Sequence, residues 1–163
     1  MTGALSVLAG DPLMDAPAIE RHGARAAGFE ELLAESDIIS LHCNLDISNR
    51  GLLNRAAFAR MRRKPLLLNV ARGALIVEAD LVEALDRGLI AGAALDVLAQ
   101  DSPDLSHHPL AGRDDVLLTP HVAFYSEAAL EDLRRISAQN VRSFFEGRPE
   151  ELSRLVPPPE GGT

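Results

Sequence analysis

A chain of 163 residues, 47% hydrophobic and 25% charged, is long enough for one ordinary globular core. Twenty-four acidic against sixteen basic residues leave a net charge of -8, which argues against nucleic acid or an anionic membrane as the main partner. No apolar run approaches a membrane span and no signal-peptide pattern opens the chain. A single cysteine, Cys43, excludes an internal disulfide, so a reducing cytoplasm is the expected compartment.

The first predicted element is a short strand over Leu5–Ala9, closed by Gly10-Asp11-Pro12. A weak helix is expected from Ala16 to His22 and a second over Phe29–Glu35, with Phe29, Leu32 and Leu33 on one side. Asp37–His42 is apolar enough for a buried strand, and the polar stretch from Cys43 to Gly51 reads as the loop at its carboxyl end. A helix near Asn54–Arg60 leads through Arg62-Arg63-Lys64 to the run Leu66-Leu67-Leu68-Asn69-Val70, a strand buried on both faces. Glu78–Arg87 alternates in the helical manner, and Gly88 suits a left-handed helix end. Leu89–Leu95 reads as another buried strand and Val116–Leu118 as the last one. The longest helix should open at Ser126 and carry Leu130, Leu133, Ile136, Val141, Phe144 and Phe145 at helical spacing until Gly147 stops it. Residues 150–163 form a carboxyl-terminal tail, expected to be disordered from about Pro157. Strands alternating with helices predict an α/β fold of Rossmann type, a parallel sheet with helices on both faces.

In such a sheet ligands collect past the carboxyl ends of the strands. Asp11, His42, Arg72, Asp96 and His121 all fall at strand ends and would share one edge. Arg72 offers a planar fork of donors suited to a carboxylate, and His121 offers a proton near neutral pH. Together they suit reduction of a 2-keto acid, with hydride arriving from a nicotinamide. For the other candidates the structural readings compete. Cys43 suits small core filler, His42 divides equally between a half-buried histidine and a cofactor contact, and Asp101 and Asp104 suit turns. His107 and His108 read as loop residues, and no metal site is expected.

Ser40-Leu41-His42-Cys43, Asn69-Val70-Ala71-Arg72-Gly73, Gly92-Ala93-Ala94-Leu95-Asp96-Val97 and Thr119-Pro120-His121 resemble, in order and spacing, the D-isomer-specific 2-hydroxyacid dehydrogenases. The resemblance runs from about Ala4 to Pro149, so residues 1–149 are expected to form a partial coenzyme domain. It looks closest to the C-terminal binding protein branch, which holds dehydrogenase-like corepressors as well as enzymes. The resemblance implies NAD as cofactor, a small 2-hydroxy or 2-keto acid as substrate and a homodimer. By position, Asp11 matches the acid on the adenosine ribose. Cys43, Asn44 and Asn49 match the loop over the cofactor, Val70 and Ala71 line it, and Asp96 matches the acid near the nicotinamide carboxamide. Arg72 matches the substrate-binding arginine and His121 the general acid/base.

Three departures qualify this. Asp101 stands where the family has a glutamate partner for the histidine, and Phe124 stands where the corepressors carry tryptophan. The family pattern also places a first strand and a glycine-rich phosphate turn before the stretch that opens here, and no G-x-G-x-x-G matches them. A chain lacking that central strand would have to close its sheet over the gap or leave the Leu5 strand loosely attached, and the chain alone is expected to be inactive. Both a dehydrogenase coenzyme domain and a non-enzymatic, dimerising or corepressor-like interaction module are compatible with this pattern.

Overall fold

The computed structural model describes residues 5–100 and 102–153. Asp101 and the stretch from Pro157, both singled out in the sequence, lie outside the described residues. The chain divides into two compact units, residues 1–123 and 124–163.

The first unit contains two separate parallel sheets. β1 (Leu8–Ala9) pairs with β2 (Arg25–Ala26), while β3 (Ile38–Leu41), β4 (Leu66–Asn69), β5 (Gly92–Leu95) and β6 (Val116–Leu118) form a four-stranded sheet in that order. Among the described residues no strand bridges β1 and β3, so the sheet does not close up. The Leu5 strand shrinks to two residues, and β2 is an element the sequence did not disclose. The strand expected from Leu89 begins only at Gly92: Leu89 N–H is still spent on Ala84 O, and the first bond toward the neighbouring strand is that of Ala91 N–H to Pro65 O.

Helices connect the strands: α1 (Ala16–Glu20), α2 (Phe29–Glu35), α3 (Arg55–Phe58) and α4 (Glu78–Asp86). Asp15 caps α1, and Asn54 caps α3 by accepting from Ala56 and Ala57 N–H. Gly88 takes the left-handed conformation after α4 (φ +61°). Alternate residues of the larger sheet, Leu41, Leu67, Ala93 and Leu95, are buried with Leu33, Phe58, Leu75, Leu81 and Leu85 in one core. The intervening positions Ile38, Leu66 and Leu117 are exposed. Arg113 bonds Asp115 and Asp86, tying the approach to β6 to the end of α4; Asp115 and then Asp86 hold its guanidinium above the ordinary range.

The second unit is α5 (Glu127–Phe145) with a 3-10 turn over Pro149–Glu151. Ser126 Oγ accepts from Ala129 N–H at 3.1 Å, the expected cap.

Candidate functional site at the carboxyl ends of the strands

Parallel pairing brings Leu41, Asn69, Leu95 and Leu118 into one register, so the residues after each strand emerge along one rim. After β4 the chain turns sharply around Asn69, which is fully buried although polar. Its amide oxygen accepts from Ala71 N–H at 3.1 Å and its amide nitrogen donates to Arg72 O at 3.0 Å. Val70, Ala71 and Arg72 are therefore held by one buried side chain, a role not visible in the motif alone. Arg72 is exposed, with its guanidinium within reach of Ala71 O at 2.6 Å. Gly73 opens a 3-10 turn whose backbone joins Gly51 and Leu53: Gly51 N–H bonds Ala74 O, Leu53 N–H bonds Leu75 O, and Val77 N–H bonds Leu53 O.

The β5 and β6 ends are joined by a buried carboxylate. Asp96 is 4% exposed. Its Oδ1 accepts from the Thr119 hydroxyl at 2.5 Å and from Val122 N–H at 2.8 Å, and its Oδ2 accepts from Ala123 N–H at 2.8 Å. Burial is the largest influence and pushes this carboxyl upward. The bonds from Thr119, Ala123 and Val122, with the charge of His121, outweigh it and hold the group below the usual range. Thr119 is the second residue sequence reasoning missed, since its contact exists only once β5 and β6 pair.

His121 is the outcome of that clamp. Its φ is +56°, a left-handed backbone that costs a residue with a Cβ about 1–2 kcal/mol. Three bonds to Asp96 from residues on either side of His121 offset the strain and fix where the imidazole leaves the chain. The side chain is exposed at the rim. Strain of this sort, held in place by its surroundings, clusters at functional sites.

The other candidates divide. The loop after β3 is built by Asn49, whose amide donates to Asn44 O at 2.6 Å and accepts from Asp46 N–H at 2.9 Å. Asp46 in turn takes both Ser48 donors, which lower its carboxyl below the usual range. Cys43 is exposed, so the core-filler reading is wrong: it lies past the last buried position of β3, Leu41. His42 is also exposed rather than half-buried, with its Nε2 2.8 Å from Ser40 Oγ. Asp11 lies in the turn two residues past β1, which belongs to the separate small sheet and not to the sheet that carries the other four candidates. Its carboxylate accepts Leu13 N–H at 2.8 Å, the bond of a turn residue. No group of three metal-ligating side chains occurs among the described residues.

The rim fits the nicotinamide end of a dinucleotide, with a turn at Val70–Ala71, a carboxylate at Asp96 and an imidazole beside it. For a pyrophosphate the described residues of this unit offer no glycine-rich turn between a strand and a helix.

The family profile for the D-isomer specific 2-hydroxyacid dehydrogenase NAD binding domain matches residues 3–123. A hydroxypyruvate reductase from Blautia hydrogenotrophica is 37% identical over 145 residues, 89% of this chain and 44% of that protein. A D-lactate dehydrogenase from Lactiplantibacillus plantarum is 37% identical over 140 residues, 78% of this chain and 42% of that protein. The structure of D-lactate dehydrogenase with NAD+ from Lactobacillus jensenii superposes with a TM-score of 0.83 at 31% identity, covering 94% of this chain and 48% of that one. A glyoxylate reductase from Paecilomyes thermophila gives 0.81 at 31% identity over 93% and 45%. The chain spans less than half the length of these relatives. It nevertheless belongs to the D-isomer-specific 2-hydroxyacid dehydrogenases, as a chain of their NAD-binding domain family.

Proposed function

We propose that this chain supplies the catalytic rim of an NAD-dependent dehydrogenase that interconverts a small 2-keto acid and its D-2-hydroxy acid. The observation that carries the reading is the left-handed His121, clamped by Asp96 on the rim that also carries Arg72. Arg72 binds the substrate carboxylate through its paired N–H donors. Val70 and Ala71 line the cofactor, and Cys43, Asn44 and Asn49 cover it from the β3 loop. Bound NADH supplies the hydride for the keto carbon. His121 gives the proton to the developing alkoxide and takes it back in the reverse direction. By motif position Asp101 is the expected partner of His121, with a side chain one methylene shorter than the family's glutamate. Asp96 has one acceptor site left, on Oδ2, for a carboxamide, and Asp11 is the ribose contact. A homodimer and a cytoplasmic setting complete the proposal; no described helix is long and apolar enough to cross a membrane.

The divided sheet favours a second reading, a non-enzymatic dimerising or corepressor-like module. One experiment separates the two. This chain is exchanged for the matching segment of the Blautia hydroxypyruvate reductase, and NADH oxidation is followed with glyoxylate, pyruvate and hydroxypyruvate. Turnover, with pyruvate or hydroxypyruvate giving the D-product, supports the enzyme, and a folded chimera silent on all three supports the module. The 163-residue chain alone should bind NADH weakly in calorimetry, because nothing in its sequence matches the phosphate turn. Micromolar affinity would overturn that part of the account.

A further inference from the structure

Glu78 opens α4, yet its carboxylate is turned toward the chain that leaves Asp96. Oε1 accepts Ala99 N–H at 2.6 Å, and Oε2 lies 3.5 Å from His108 Nε2. The Nδ1 of His108 accepts Leu110 N–H at 3.3 Å, which places the ring proton on Nε2, facing Glu78. On its other side the same segment rests on Gly73. A Cβ built there would lie 1.9 Å from Leu98 O and 2.5 Å from Ala99 N, so backbone meets backbone with no room for a side chain. Gly73 directly follows Arg72. The stretch Leu98–Ala99 is thus gripped by Glu78 and pressed against the turn that presents the arginine.

We propose that Glu78 is a positioning residue for Arg72, acting through the backbone of Leu98 and Ala99 on Gly73. Asn69 secures the Arg72 turn from the β4 side, and Glu78 secures it from the β5 side. A charge-assisted acceptor removed from Ala99 frees this segment to lift, and the turn then loses the surface that limits its excursions. The substrate arm of this inference rests on Arg72 being the carboxylate anchor, whereas the conformational arm does not.

The test compares wild type, Glu78→Ala and Glu78→Gln in the full 163-residue chain. Hydrogen exchange is read at Ala99 and at Leu75, whose N–H bonds Arg72 O. Oxamate, a mimic of pyruvate, is titrated by nuclear magnetic resonance with Arg72→Ala as control. Glu78→Ala should speed exchange at both amides by about tenfold or more and weaken oxamate by about tenfold. Glu78→Gln, which keeps an acceptor oxygen, should restore both. Acceleration at Ala99 with Leu75 unchanged would overturn the proposal, as would a uniform rise across β3 and β4, which marks general loss of stability. If wild type and Arg72→Ala bind oxamate equally, the reading of Arg72 fails, and the exchange at Leu75 still decides the clamp.

Discussion

The Asp96 carboxylate shows how one side chain serves both packing and site. Its three donors are Thr119, Val122 and Ala123, so it staples the end of β6 to the end of β5 and holds the strained His121 between them. Because the folded group titrates below its unfolded value, near 3.9, its contribution is full above that value and is lost as pH falls through the folded one. Asp96→Asn places an amide N–H against backbone donors and should cost about 1–3 kcal/mol at neutral pH. Urea unfolding of both proteins should show that gap constant above about pH 5 and shrinking as the carboxylate range is entered. A gap independent of pH would mean that the charge contributes nothing.

At the scale of elements, the apolar runs made β3, β4 and β6 legible as strands, but not their burial. The Leu66 strand, expected to be buried on both faces, buries Leu67 and Asn69 and leaves Leu66 exposed, as Ile38 and Leu117 are on β3 and β6. α5 was legible through Ser126 and its helical spacing. β2 was not: two residues, one of them arginine, carry no period, and only pairing with β1 defines them. The sequence likewise named Arg72, Asp96 and His121 but not Asn69, Thr119 or Glu78, whose partners lie on other elements or across a turn. Asp11, His42 and Cys43 illustrate the reverse, residues whose local structural duty or exposure only the fold reveals. Gly73 belongs to the same lesson. Gly73→Ala should destabilise the chain by about 1–3 kcal/mol as Leu98 is forced away, and thermal unfolding would register it. An unchanged midpoint would show that the two backbones are not in contact.

For the whole molecule, the divided sheet has consequences. β3 has one neighbour among the described strands, and Ile38, Leu66 and Leu117 leave apolar surface in water. Unpaired edges and exposed apolar patches recruit other chains, and α5 adds exposed Phe144 and Phe145. Sedimentation across a dilution series should therefore show association, as dimers or larger species. A monomer with cooperative unfolding at every concentration would show that the chain is self-sufficient. The claim on which all of this turns is that the rim is catalytic. Its most direct test is kcat/KM for 2-keto acid reduction in the chimera, with His121→Ala and Arg72→Ala each compared with the unsubstituted protein. Each variant should lose about a hundredfold or more, and near-normal turnover in either would contradict a catalytic rim.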